Sequence, residues 1–149
     1  MSGAPHPAWD DVNRALAAAH NYWVATAGAG GRPHAVPVWG VWLDGTFYFA
    51  TARGSRKGRN LAENPRVVVH LESGDDVVIL EGDADEVSSA SMLARFADAY
   101  EAKYRWRPGT DGDPGVTYAL RPRVAFTWRE RDFPQSAIRW LFTRSAGRP

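Results

Sequence analysis

The densest group of charged side chains lies between residues 53 and 66, where five cations accompany one carboxylate, Glu63. Ser55 follows Gly54, and a serine can cap a helix while the first backbone N–H groups stay unpaired. Arg56 and Lys57 then fall in the first helical turn, where the helix dipole disfavours cations. Unpaired N–H groups and cations together suit an anion, most simply a phosphate. A solvated helix face is the alternative explanation. The five cations are Arg53, Arg56, Lys57, Arg59 and Arg66.

Other site chemistries have less support. The glycines near Lys57 have neither the order of a Walker loop nor the spacing of a dinucleotide-binding fingerprint. No two histidines have the spacing of metal ligands, so no metal site is expected. A nucleophile elbow is missing, and the absence of cysteine excludes thiolate catalysis and disulfides. No general acid or base stands out, so the catalytic residues stay unassigned. The histidines are His6, His20, His34 and His70.

Length and composition predict one globular domain over residues 1–149, with residues 1–7 and 144–149 expected to be disordered. A net charge of +1 gives no general attraction to nucleic acid or to a membrane surface. The N-terminus has no secretory signal, and no apolar run reaches the roughly 18 residues that a membrane helix needs. We therefore expect a cytoplasmic protein that acts on a small molecule.

Alternating and helical patterns predict the elements that position the basic stretch. Strands joined mostly by hairpins, with three helices, favour a six-stranded antiparallel barrel with helices packed outside. The Asp44-Gly45 pair is the clearest hairpin turn, and Pro122 must lie at an edge or a bulge. The predicted strands are 22–26, 34–43, 46–51, 66–71, 77–87 and 117–129. The predicted helices begin near Trp9, at 55 and at 89, and a loop covers 105–115.

The predicted strand over 34–43 is apolar on both faces. One face of a barrel strand lies in the core, and the other is polar when it meets water. The second face must therefore be covered by helix 89–104, by a partner subunit or by a flat ligand. Pro37 removes one donor from the ladder, so a ligand edge could meet the sheet there.

Six segments carry a family resemblance through their order and spacing, namely residues 31–39, 44–51, 54–57, 60–61, 64–67 and 81–84. Together they resemble the pyridoxamine 5′-phosphate oxidase-like, flavin- and deazaflavin-binding split-barrel family. The resemblance implies an FMN-binding split barrel, and a homodimer with two cofactor sites at its interface. It implies that Ser55, Arg56 and Lys57 hold the phosphate, with Thr51 near it. It also implies that the ring system lies against Val36, Pro37, Val38 and Trp39.

The resemblance implies an oxidoreductase that moves hydride between bound FMN and a small organic substrate. A reductase that uses the deazaflavin coenzyme F-420 is one alternative, and a non-catalytic flavin or haem carrier is another. Val36 and Pro37 stand where the oxidase offers an arginine, so oxidation of pyridoxamine phosphate is not expected. Helix 89–104 and loop 105–115 could shape the entrance. A hydrophobic substrate wall could include Trp39, Trp42, Trp128 and Trp140.

Overall fold

The computed structural model describes residues 8–109, 112 and 115–143. The terminal segments that we expected to be disordered lie outside this part. The helices are α1 (Trp9–Ala18), α2 (Arg56–Glu63) and α3 (Ala90–Tyr104), and a 3-10 turn covers Glu130–Asp132. The strands are β1 (Tyr22–Ala27), β2 (Pro33–Val38), β3 (Val41–Leu43), β4 (Thr46–Thr51), β5 (Arg66–His70), β6 (Asp76–Glu86), β7 (Val116–Arg129) and β8 (Ile138–Leu141).

All strand pairs are antiparallel, in the order β2-β1-β5-β6-β7-β4-β3, and β8 pairs with β7. The two strands at the ends of this order, β2 and β3, are consecutive in the chain. Only Trp39 and Gly40 separate them. Because two residues span little distance, the sheet must curl until its two edges come close together. The predicted antiparallel barrel with flanking helices is confirmed.

The predicted strand 34–43 is in fact two strands, which is one reason for eight strands in the described part rather than six. Its break lies at Gly40, which packs tightly against β4. A Cβ atom there would lie 2.5 Å from the Phe47 ring and 2.7 Å from the Tyr48 carbonyl oxygen. The extra strand is β8, a four-residue segment too short to give a clear alternation.

The barrel interior is filled by the inward-facing residues of every second position. Tyr22, Val24 and Thr26 on β1 alternate with half-buried neighbours in this way. Helix α1 adds Val12 and Leu16 to the same core. The largest fully buried apolar side chains are Tyr22, Phe47, Phe49, Phe96, Leu16, Leu80, Leu120, Val24 and Val69.

Helix α3 covers the outer face of the sheet on one side only. Phe96 and Tyr100 pack against Val41, Tyr48 and Ala119, which lie on β3, β4 and β7. Sequence analysis offered three possible covers for the second apolar face of residues 34–43. For the part of it that forms β3, the cover is helix α3. On β2 the outward-facing Ala35 and Pro37 are exposed.

The predictions for the Asp44-Gly45 turn and for Pro122 are both confirmed. Asp44 and Gly45 have φ angles of 50° and 75°, as a two-residue hairpin turn requires. Pro122 lies opposite Gly82, where the β6–β7 register shifts between Glu81 and Gly82. A bulge tolerates the missing N–H of proline.

None of the helices within the described ranges has the length and apolar character to span a membrane.

Candidate functional site

The turn between β4 and α2 is held by a small hydroxyl network. Ser55 is the N-cap of α2, as predicted, because its Oγ accepts a hydrogen bond from the Gly58 N–H at 3.1 Å. The same hydroxyl donates to the Ala52 carbonyl at 2.8 Å and lies 2.9 Å from the Thr51 Oγ1. The end of β4 and the start of α2 are therefore fixed relative to each other.

Two glycines allow the chain to pack closely around this turn. A Cβ atom on Gly58 would lie 2.5 Å from the Ala52 carbonyl oxygen. A Cβ atom on Gly115 would lie 2.8 Å from the Thr51 carbonyl oxygen, and its φ of 58° also favours glycine. The backbone of the turn is thus confined on two sides.

The first turn of α2 presents donors without acceptors. The N–H groups of Arg56 and Lys57 donate to no residue that the structure describes, as expected for the first turn of a helix. Lys57 is half-buried, and this burial lowers its pKa below the ordinary lysine value. No ion pair joins Lys57 to any carboxylate of the described chain. A bound anion would offset this burial and supply the missing acceptor.

The remaining cations of the stretch have separate roles. Arg53 forms two contacts with Glu86, at 2.7 Å and 3.2 Å. This pairing raises the pKa of Arg53 and lowers that of Glu86. Arg66 lies on β5 opposite Asp83. The anion corner, defined here as Thr51, Ser55, Arg56 and Lys57, therefore contains only two of the five cations.

The residues expected to face a ring system lie on the edge strand β2 and directly after it. Val36 and Val38 are half-buried, whereas Pro37 and Trp39 are exposed. Pro37 occupies a position that a sheet tolerates, because β2 pairs only with β1. The side chains of Val36, Pro37 and Val38 are purely apolar, and the indole N–H of Trp39 is the one polar side-chain group among the four. The segment therefore offers mainly contact area and backbone groups.

The strand register brings this segment and the anion corner to the same end of β4. Val41 on β3 lies opposite Tyr48 on β4. From that pair, Gly40 and Trp39 precede Val41 along the chain, and Ala50 and Thr51 follow Tyr48. Because the strands are antiparallel, both stretches extend in the same direction. They border the gap between the unpaired edges of β2 and β3, which is the split in the barrel.

The indole of Trp39 is held in one orientation although 41% of the residue is exposed. It stacks parallel to Tyr104, with the ring centroids 4.5 Å apart, and it meets His20 edge-on. The Tyr104 hydroxyl accepts from the Gly40 N–H at 3.0 Å and donates to the His20 carbonyl at 2.8 Å. Trp39 is thus a rigid flat surface beside the split.

Lys103 closes the same cluster from α3. Its Nζ donates to the Tyr22 hydroxyl at 2.8 Å and to the Gly40 carbonyl at 3.1 Å. It also lies over the rings of Tyr22 and Tyr104, 4.8 Å and 5.1 Å from their centroids. Burial lowers the pKa of Lys103 to about 8. This lysine ties α3 to the break between β2 and β3.

A cavity of about 350 Å³ begins at Thr51 and extends below α3. Helix α3 and the segment after it both line the cavity, and these are the segments proposed from the sequence to shape an entrance. The lining residues are Ala50, Thr51, Ala52, Leu93, Phe96, Ala97, Tyr100, Trp106, Pro108, Gly109, Gly115 and Thr117.

The family model for pyridoxamine 5′-phosphate oxidase matches residues 8–129. The chain belongs to the pyridoxamine 5′-phosphate oxidase family. Its fold is shared by a conserved hypothetical protein of Mycobacterium tuberculosis, with a TM-score of 0.76, 22% identity and coverage of 99% of this chain and 98% of that one. A search of curated proteins finds no match.

Two further relatives of known structure share the fold. A heme binding protein of Mycobacterium smegmatis has a TM-score of 0.70 and 21% identity, over 93% of this chain and 60% of its own. A Clostridium acetobutylicum protein related to general stress protein 26, of the pyridoxinephosphate oxidase family, has a TM-score of 0.67 and 16% identity. That alignment covers 89% of this chain and 92% of the other.

The structure does not bring together the four tryptophans that were candidates for a hydrophobic substrate wall. Trp42 is 7% exposed in the barrel core, and its Nε1 donates to Asn13. Trp140 packs against Trp9, and Trp128 contacts Phe133. Only Trp39 borders the split, because the other three face the core or the β7–β8 side.

The sequence did not single out Tyr100, Trp106 or Lys103 as site residues. Tyr100 follows the helical spacing of a core stripe, which is the commoner role of such an aromatic residue. Trp106 follows the helix in the predicted loop, and no spacing signal marks Lys103. No group of three or more histidine, aspartate or glutamate residues suits a metal ion in the ranges that the structure covers, and cysteine is absent from the chain.

Lys103 predicts a specific pH dependence of stability. Its native pKa of about 8 lies below the ordinary lysine pKa of 10.5, so at a pH between these two values the unfolded chain binds more protons than the native protein. The free energy of unfolding should therefore rise with pH from about 8 to about 10 relative to that of Lys103→Met. Denaturant unfolding of both proteins at several pH values measures this difference. Lys57 also has a lowered pKa, but it is present in both proteins, so its contribution cancels. A pH-independent difference would contradict the assignment.

Proposed function

We propose that this chain is an oxidoreductase that binds FMN and transfers hydride between the flavin and a small organic substrate. The main support for this proposal is the environment of Lys57, a half-buried ammonium group without an acidic partner in the described structure. It lies in the first turn of a helix, where backbone N–H groups are unpaired. Family membership supports the same conclusion.

The residues of the anion corner fit a phosphate ester. Lys57 and Arg56 would supply charge, and their N–H groups would donate to phosphate oxygens. Ser55 is already committed to the helix cap, so its role is to hold the turn. Thr51 is close enough to add a hydroxyl donor by rotating away from Ser55.

The flavin, when bound, supplies the hydride chemistry. The task of this chain is then to position the ring and to limit water around it. Trp39 offers a fixed flat surface, and Val36, Pro37 and Val38 add apolar contact beside it. Tyr104 and Lys103 keep Trp39 and Gly40 in place.

Coenzyme F-420 is the alternative cofactor. It offers the same two features to the chain, a flat ring system and an anionic tail. The corner recognises the tail through charge, which both cofactors provide. Parallel titrations with FMN and F-420 measure the preference directly.

We propose that a second copy of this chain covers the outer face of β1 and β2. Ala35 and Pro37 are exposed there beside the half-buried Trp23. Across the same sheet, Leu141 on β8 is 69% exposed. An apolar face of this kind is typical of a subunit interface. A homodimer would bring a second subunit beside each split.

The dimer proposal predicts that an added charge on this face separates the subunits. Ala35→Asp should shift the molar mass from dimer to monomer, because a carboxylate buried in an interface costs more than the apolar contact gives. Light scattering after gel filtration measures this, and Ser73→Asp, in an exposed turn, is the control. A monomeric wild-type protein would exclude the dimer.

A haem carrier is a second candidate, favoured by the geometry of His70. Its Nδ1 lies 2.7 Å from the Leu71 carbonyl oxygen, and a carbonyl can only accept. In the neutral ring, Nε2 therefore keeps its lone pair, which iron requires. His70 also stacks parallel to Trp23 on the apolar outer face. The similar protein from Mycobacterium smegmatis is named as heme binding.

Haemin titration decides between the two roles. A haem carrier should give a sharp Soret band that His70→Ala removes and His34→Ala retains. An oxidoreductase of the proposed type should bind FMN or F-420 and show no such histidine dependence.

Replacing Lys57 should weaken FMN binding. Lys57→Met keeps most of the apolar stem but loses a charge-assisted contact of about 1.5–3 kcal/mol, so the Kd should rise by roughly 10- to 150-fold. Arg59→Met, on an exposed part of the same helix, is the matched control and should change the Kd much less. Quenching of flavin fluorescence measures both. An unchanged Kd for Lys57→Met would remove Lys57 from the site.

A further inference from the structure

The cavity next to Thr51 has a distinct chemical character. Phe96, Tyr100 and Trp106 supply aromatic surface, and alanine and glycine residues supply much of the rest. No lining residue that the structure describes is charged. An ion would lose hydration there without gaining a partner of opposite charge, so the cavity favours a neutral occupant.

Two hydroxyl groups of this cavity have no hydrogen-bond partner among the described residues. They belong to Tyr100 and Thr117, and each of these residues is only 9% exposed. Neither hydroxyl oxygen is among the fully buried atoms without a partner, so both oxygens stay accessible where they line the cavity. Burial also raises the pKa of Tyr100, so its hydroxyl stays protonated and able to donate at neutral pH.

We propose that the cavity binds an uncharged, flat ring compound with a carbonyl-type oxygen that accepts from the Tyr100 and Thr117 hydroxyls. Phe96 and Trp106 would contact the apolar part of the ring. The volume of about 350 Å³ is near the lower end for small-molecule sites, which suits one or two fused rings.

The cavity is a candidate substrate site for the proposed oxidoreductase. Thr51 belongs both to the cavity and to the anion corner, so the compound would lie beside a bound cofactor. Its role as the hydride acceptor rests on the proposed function, whereas its binding does not. Binding can therefore be measured on the cofactor-free protein.

Menadione, a neutral naphthoquinone, is a suitable probe, and 2-methylnaphthalene is its partner without oxygen atoms. The chain contains no cysteine, so thiol addition to the quinone cannot interfere. Equilibrium dialysis should show menadione binding at least 10-fold tighter than 2-methylnaphthalene. The charged 2-naphthoate should bind more weakly than menadione by at least the same factor.

Variants assign the binding to these two hydroxyls. Tyr100→Phe and Thr117→Val remove a hydroxyl with little change of shape, and each should weaken menadione binding by roughly 3- to 10-fold. Tyr48→Phe is the matched control, because Tyr48 packs under the same helix but does not line the cavity. Thermal unfolding confirms that each variant is folded. Ala97→Leu, which fills the cavity, should abolish binding of both ring compounds.

Three results would overturn the proposal. These are equal affinity for menadione and 2-methylnaphthalene, unchanged affinity in both hydroxyl variants, and no binding of menadione to the wild-type protein. Failure of FMN and F-420 to bind would instead contradict the proposed function and leave this site standing.

Discussion

The architecture depends on the two-residue connection between β2 and β3. Trp39 and Gly40 join β2 and β3, which are the two edge strands of one sheet. The sheet therefore has to curl until these edges meet, and the gap between them is the split. Gly40 makes this possible because its α-carbon lies against the Phe47 ring and the Tyr48 carbonyl, where a side chain would clash. The pairing of β3 with β4 then places Trp39 and Thr51 at one end of β4. The flat surface of Trp39 and the anion corner are therefore neighbours because of the backbone path that follows this connection.

Electrostatics then distinguishes the anion corner from the rest of the basic stretch. Arg53 has a carboxylate partner in Glu86, and its charge is satisfied within the protein. Lys57 has burial without a partner, in the positive field of a helix N-terminus. Such an arrangement costs stability in the free protein, and a bound phosphate would recover that cost. The difference between these two cations is invisible in a count of charges.

Local features of the fold followed from the sequence, because each depends on neighbouring residues. The cap at Ser55, the turn at Asp44-Gly45 and the bulge at Pro122 are examples. Features that depend on distant contacts did not follow. The break at Gly40 reflects packing against β4, and the pairing of Arg53 with Glu86 joins the β4–α2 turn to the end of β6. The cavity under α3 also escaped prediction, since its lining comes from β4, α3, β7 and the segment after α3.

We propose that a phosphate group binds where Thr51, Ser55, Arg56 and Lys57 meet. Calorimetric titration with FMN and with riboflavin, which lacks only the phosphate, measures how much that group contributes to binding. FMN should bind at least 10-fold tighter than riboflavin, and added salt should reduce this difference in affinity because it arises from charge–charge attraction. Equal affinities for the two flavins at low salt would show that these residues do not bind the phosphate.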